Sequence, residues 1–67
     1  MTIGERIKAA RKEKKLTQKR LGELLGYTGR SAELMVQHWE RGRRQVPIEV
    51  VKPMSKILDI PLEDLIP

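Results

Sequence analysis

Side chains able to hydrogen-bond to nucleobases recur at helical spacing in the middle of the chain. Arg30, Leu34 and Gln37 are spaced so that they share one face of an α-helix, and Glu33 and His38 flank that face. Glutamine can make a bidentate contact to adenine and arginine to guanine, glutamate can accept from cytosine, and leucine can pack on a thymine methyl group. These five residues are therefore candidates for contact with base edges in duplex DNA.

Two members of this set have a second interpretation. Leu34 is equally well explained by burial under the preceding loop or against a dimer partner. His38 is the single histidine of a chain without cysteine, so a metal site is not expected. A polar surface residue or a phosphate donor explains His38 better than a metal ligand does. We predict neither a metal nor a cofactor.

Groups around this helix predict contacts with the DNA backbone. Thr17 and Gln18 stand at the start of an earlier predicted helix, where free backbone N–H groups attract an anion. Three arginines directly follow the base-contacting segment. The predicted phosphate contacts are Thr17, Gln18, Thr28, Arg41, Arg43 and Arg44. The lysines at positions 12, 14 and 15 are better explained as a solvated surface.

Length and charge agree with a small DNA-binding domain. The chain has 67 residues, enough for one domain over residues 1–67, and a formal net charge of +5. Residues 1–20 hold eight Lys/Arg against two acids, which favours a polyanionic partner. With one Trp, one Tyr and no Phe, the chain lacks the stacking platforms of single-strand and RNA binders, so duplex DNA is favoured.

Several other classes of protein are disfavoured. A basic helix at residues 3–15 could lie on an acidic membrane, but its few apolar residues are needed for the core. Without cysteine, a membrane-length apolar run or a signal-peptide core, the chain is expected to be cytoplasmic. No catalytic triad, glycine-rich phosphate loop or supported carboxylate pair is present, so we predict no enzyme activity.

Apolar periodicity predicts three helices in the first part of the chain. The first runs over about Ile3–Lys14, with Thr2 as its cap. The second follows Thr17 as N-cap, with an apolar stripe at Leu21, Leu24 and Leu25, and ends at a left-handed Gly26. Residues 27–30 are predicted as turn. The third helix begins at Ser31, buries Ala32, Val36 and Trp39, and ends near Gly42.

Two more helices are predicted after a charged connector over residues 43–46. Pro47 suits the first turn of a fourth helix that would bury Val50 or Val51, Met54, Ile57 and Leu58. Pro53 predicts a kink or a break in it. Pro61 can open a last short helix that includes Leu62, Leu65 and Ile66. The predicted fold class is all-α, a compact five-helix domain.

The ordered motifs are similar to those of one family. The matching segments extend over nearly the whole chain in this order: Ile7 and Arg11, LTQKRLGELLG, VQHWERG, Pro47 and MSKILDIPLEDL. This set resembles the lambda-repressor-like helix-turn-helix family, the Cro and repressor type of small bacterial and phage regulators. The resemblance implies that the third helix is the recognition helix, that Gln18 contacts the DNA backbone, and that Arg11 and Glu40 pair as a buried salt bridge.

The chain departs from the family at two places. Gly22 stands where the family usually has alanine, and a small residue there lets the second and third helices cross closely. Between Gly26 and Trp39 the chain is four residues longer than the commonest family spacing. We place the extra residues in a loop over residues 27–31.

These observations lead to one preferred function and one alternative. The preferred function is sequence-specific binding of double-stranded DNA by a transcriptional regulator, a repressor acting as a homodimer on a palindromic operator. The alternative is an antitoxin-type protein that binds a protein partner and whose DNA binding is secondary. Apolar Ile60, Leu62, Leu65 and Ile66 near the C-terminus are predicted to serve either a homodimer or such a partner.

Overall fold

Four α-helices and one 3-10 turn make up the computed structural model, which describes residues 1–67. The helices are α1 (Ile3–Glu13), α2 (Gln18–Leu24), α3 (Arg30–Glu40) and α4 (Ile48–Leu58), followed by the 3-10 turn Leu62–Asp64. The predicted all-α class is confirmed. The fifth element is a single 3-10 turn and not an α-helix, because Leu65 turns inward immediately after it and is buried in the core.

Side-chain caps define where the first two helices begin. Thr2 Oγ1 accepts a hydrogen bond from the Glu5 backbone N–H at 3.1 Å, and Glu5 Oε1 accepts one from the Thr2 N–H at 2.8 Å. This reciprocal pair satisfies two N–H groups that have no partner within α1. Thr17 Oγ1 accepts from the Arg20 N–H at 3.0 Å and caps α2. Both predicted caps are confirmed, as is the left-handed exit at Gly26, where φ is +100°.

The core forms where the apolar stripes of the helices meet. Its buried members are Ile7, Leu21, Val36, Trp39, Val50, Val51, Met54, Leu58, Ile60 and Leu65. Leu24 is 42% exposed, so its prediction as part of the buried stripe of α2 is wrong. The stripe of this seven-residue helix is narrow, and Leu21 and Leu25 face the core instead.

Glycine permits close approach at two helix contacts. A Cβ on Gly22 would overlap the Ala32 backbone, so α2 and α3 are in contact through main chain at this point. A Cβ on Gly4 would overlap the carbonyl oxygens of Trp39 and Glu40, at the other end of α3. The predicted close crossing of α2 and α3 at position 22 is thus present in the structure. Gly4 permits a second close main-chain contact, between α1 and α3.

Several predicted boundaries are wrong. The loop predicted over residues 27–31 ends earlier, because Gly29 adopts φ +58° and α3 begins at Arg30. Pro47 precedes α4 as its N-cap and is not in the first turn. Helix α4 is continuous through Pro53, so the predicted break does not occur. Pro53 lies in the second turn, where it removes only one backbone hydrogen bond, and the buried residues on both sides hold the helix together.

The C-terminal apolar residues divide into two groups. Ile60 and Leu65 are 6% and 2% exposed and belong to the core. Their predicted availability to a dimer or protein partner is therefore wrong, because the chain folds back and both side chains join the buried core. Leu62 and Ile66 remain 43% and 48% exposed.

Candidate nucleic-acid interface

Helix α3 has one buried face and one accessible face. Ala32, Val36 and Trp39 are buried, and they pack α3 onto the rest of the domain. On the opposite side Arg30, Glu33 and Leu34 are exposed, and Leu34 exposes 48% of its surface. Gln37 and His38 are half-buried. The interpretation of Leu34 as covered by the preceding loop is therefore not supported in the isolated domain.

A buried ion pair holds the C-terminal end of α3 against α1. Arg11 Nε lies 2.6 Å from Glu40 Oε2, and the two side chains are 9% and 4% exposed. Arg11 Nη1 also donates to the Leu16 carbonyl oxygen at 2.8 Å. Because the guanidinium and the carboxylate satisfy each other and additional groups, neither charge is left buried alone.

Gln18 extends this ion pair to α2. Its Nε2 donates to Glu40 Oε1 at 3.0 Å, and the side chain is half-buried. The hydrogen bond connects the first residue of α2 with the last residue of α3. One N–H of the amide is used inside the protein, and the amide still has a second N–H and an acceptor oxygen for a ligand.

Tyr27 anchors the loop between α2 and α3. Its ring meets Trp39 in an edge-to-face arrangement, with centroids 5.7 Å apart and an interplanar angle of 65°. The sequence pattern predicted Tyr27 only as part of a turn and did not indicate this contact. An aromatic residue in an otherwise polar turn is the signal that could have indicated it, since aromatic side chains favour paired, buried arrangements.

The arrangement of helices agrees with a match to a known family. A family model described as helix-turn-helix matches residues 7–65. The chain belongs to this family. The resemblance to lambda-repressor-like proteins is thereby confirmed, and the chain is a DNA-binding domain of the transcription-regulator type. No curated protein and no solved structure shows significant similarity to it.

In this helix-turn-helix domain the candidate phosphate contacts lie at both ends of α3. At the C-terminal end, Gln18 donates a hydrogen bond to Glu40. The exposed residues that follow Glu40 include Arg41, Arg43 and Arg44. Thr28 is exposed in the loop that precedes α3. A helix of eleven residues is about 16 Å long, which is more than the roughly 12 Å width of the major groove.

Thr17, next to Gln18 in the chain, is a further candidate phosphate contact near the C-terminal end of α3. It is exposed, and its Oγ1 already accepts the capping hydrogen bond from Arg20. A hydroxyl group that accepts one hydrogen bond can still donate its proton. The side chain can therefore cap α2 and donate to a phosphate oxygen at the same time.

The domain has no helix that is both long enough and apolar enough to cross a lipid bilayer.

The titratable residues of the candidate interface include both signs of charge. Glu33 brings one carboxylate to the exposed face of α3, whereas Arg30 and the arginines after α3 bring positive charge to its ends. A carboxylate within a cationic surface disfavours contact with phosphate at that point and suits an exocyclic amino group such as that of cytosine.

Proposed function

We propose that this domain binds specific sites in double-stranded DNA and regulates transcription as a dimeric repressor on a palindromic operator. One observation carries the proposal: α3 exposes side chains that can read bases, and cationic or polar side chains flank both of its ends. That combination supports insertion of α3 into the major groove with phosphates held on either side.

The proposed roles divide between bases and backbone. The proposed base contacts come from Arg30, Glu33, Leu34, Gln37 and His38. The proposed phosphate contacts come from Thr17, Gln18, Thr28, Arg41, Arg43 and Arg44. Arg11 and Glu40 act through the fold, because their buried pair sets the position of the C-terminal end of α3 relative to α1. Gln18 has both roles, since its amide touches Glu40 and can reach a phosphate with its remaining N–H.

A dimer follows from how little sequence a single α3 can read. One helix in the groove contacts a few base pairs, and a symmetric pair of helices reads two mirror-related half-sites about one helical turn apart. The small core of a 67-residue chain also favours additional burial between two copies.

The experiment that tests the proposal is selection of bound sequences from random duplex DNA by the purified domain. The proposal expects a consensus with two mirror-related half-sites. Recovery of random sequence would overturn specific binding, and a single unsymmetrical site would overturn the palindromic operator. The antitoxin-type alternative expects weak DNA selection together with a tight complex with a second protein.

A further inference from the structure

Every α-helix of the domain is followed within two positions by a residue with left-handed backbone. The φ angles of these four residues lie between +59° and +100°, and the residues are Lys15, Gly26, Gly42 and Asp59. After α1, the Lys15 N–H donates to the Lys12 carbonyl oxygen at 3.0 Å. The Leu16 N–H donates to the Arg11 carbonyl oxygen at 3.1 Å. This pair of hydrogen bonds closes the last turn of α1 and requires the left-handed conformation at Lys15.

Lysine is the unexpected residue type among these four. Glycine has no Cβ and adopts a positive φ without steric cost, and aspartate tolerates it because its short side chain can hydrogen-bond locally. Lysine has neither advantage, because its Cβ is crowded by the following carbonyl oxygen. Residues held in sparsely populated backbone regions cluster at functional sites. The preference of the backbone therefore does not explain a side chain at position 15, and its charge is the property to explain.

The charge of Lys15 has no partner within the domain. Lys15 is exposed and forms no ion pair. Its neighbour Lys14, in contrast, has its Nζ 3.4 Å from Oδ2 of Asp59. A cation near the C-terminal end of a helix stabilises the helix dipole, but Arg11 and Lys12 already supply positive charge in the last turn of α1. The Lys15 ammonium group is therefore free for a ligand outside the domain.

The chain next to Lys15 is attached to the C-terminal end of α3. The Leu16 carbonyl oxygen accepts a hydrogen bond from Arg11 Nη1 at 2.8 Å, and the same guanidinium pairs with Glu40, the last residue of α3. Gln18 donates to the carboxylate of Glu40 as well. Lys15 thus precedes a segment fixed at the end of α3 from which the exposed connector arginines at positions 41, 43 and 44 continue.

We propose that Lys15 contacts a DNA phosphate and extends the phosphate-binding surface from the connector arginines to the end of α1. The proposal rests on the proposed function and adds a residue to its interface. An ammonium group on a flexible four-carbon stem binds phosphate as a point charge. Such a contact contributes affinity and salt dependence but does not choose between base pairs. The left-handed backbone fixes where the stem leaves the chain, so the position of the charge is set by the fold.

Lys15→Gly separates the charge from the backbone conformation, because glycine suits a φ of +59°. A circular dichroism melt should show a midpoint temperature no lower than that of the original protein. Titrations on the selected duplex should show binding weaker by about eightfold at about 0.1 M salt and by about twofold at about 0.5 M, with the slope of log K against log salt reduced by about 0.9. The selected base consensus should be unchanged.

Two further variants complete the experiment. Lys15→Arg retains the charge and should retain the slope. Lys14→Gln is the matched control, since it removes the same charge one residue earlier, at a lysine that faces Asp59. It should leave the slope unchanged. A slope for Lys15→Gly equal to that of the original protein would overturn the proposal. Equal reductions in Lys14→Gln and Lys15→Gly would also overturn it, because the net charge of the domain would then explain both.

The outcomes distinguish this proposal from the proposed function. A reduced slope in Arg43→Ala and Arg44→Ala, with none in Lys15→Gly, would overturn only the contact from Lys15. An original protein that does not bind duplex DNA, or binds it without salt dependence, would overturn the proposed interface and the role of Lys15 together.

Discussion

Arg11 Nε lies 2.6 Å from Glu40 Oε2, and this contact joins the last turn of α1 to the last residue of α3. Gln18 donates to the other oxygen of the same carboxylate. One buried carboxylate therefore receives hydrogen bonds from two other helices at the place where α3 ends and the connector arginines begin. The position of the candidate DNA-contacting helix depends on this carboxylate.

Glu40→Ala should lower the free energy of unfolding more than it changes DNA recognition. The substitution leaves the Arg11 guanidinium buried without its partner, which typically costs about 3–5 kcal/mol. Chemical denaturation followed by circular dichroism measures the change. Glu23→Ala is the control, because its ion pair with Arg20 is exposed and contributes about 0.5 kcal/mol or less. Equal stability of both variants would contradict a structural role for the buried pair.

Gly22→Ala should destabilise the domain although alanine is the better helix former. The propensity gain is about 1 kcal/mol, and forcing a methyl group against the Ala32 backbone costs about 1–3 kcal/mol because α3 must move away from α2. A thermal melt measures the change, and the midpoint temperature of Gly22→Ala should lie below that of the original protein. A variant more stable than the original would mean that α2 and α3 are not in main-chain contact at Gly22.

The first three helices are predictable from the sequence because local chemistry determines them. Thr2 and Thr17 cap the first two helices through short-range hydrogen bonds, and the stripe of Ala32, Val36 and Trp39 defines the buried face of α3. These features depend on neighbours within a few positions, so their residue types and spacing are sufficient to predict them.

Features that depend on tertiary contacts were predicted less well. Pro53 was expected to kink or break α4, and the break does not occur, because the packing of Met54 and Leu58 holds the helix continuous across the lost hydrogen bond. The contact between Tyr27 and Trp39 joins residues far apart in the chain, and periodicity carries no information about it. Leu65 was predicted to serve a partner surface, but it is buried. Its burial depends on how the chain returns to the core, which local residue spacing does not show. The DNA-contacting roles of individual residues stay predictions.

The stability of α1 should depend on the ionisation of Glu5. Hydrogen bonds from the Thr2 backbone N–H and then from the Thr2 side chain lower the pKa of Glu5 below its ordinary value of 4.5. Because the folded pKa lies below the unfolded one, the contribution is fully present above pH 4.5 and is lost as the pH falls through the folded pKa.

Thr2→Ala should raise the pKa of Glu5 towards its ordinary value, as measured by NMR titration of the side-chain carboxyl. Thr2→Ser keeps a hydroxyl group at the cap and should keep the pKa lowered. A pKa of Glu5 that is the same in all three proteins would show that the side chain of residue 2 has no part in lowering it.

Arg43→Ala and Arg44→Ala should each reduce the salt dependence of DNA binding. Neutralising a phosphate releases condensed counterions, so each ionic contact changes the slope of log K against log salt by about 0.9. Titrations on the selected DNA at several salt concentrations measure the slope. Lys56→Ala, at an exposed lysine of α4, is the control and should leave the slope unchanged. Slopes equal to that of the original protein in both arginine variants would remove the connector from the interface.

Base reading by α3 is tested most directly by DNA selection with the original domain and with Gln37→Ala in parallel. A bidentate contact from Gln37 is worth about 1–3 kcal/mol of discrimination, so its loss should relax preference at one base pair in each half-site. The two affected positions should be related by the symmetry of the operator. We predict a consensus that is unchanged except at that symmetric pair of positions. Uniformly weaker binding with the same consensus at every position would contradict the base-reading role of Gln37.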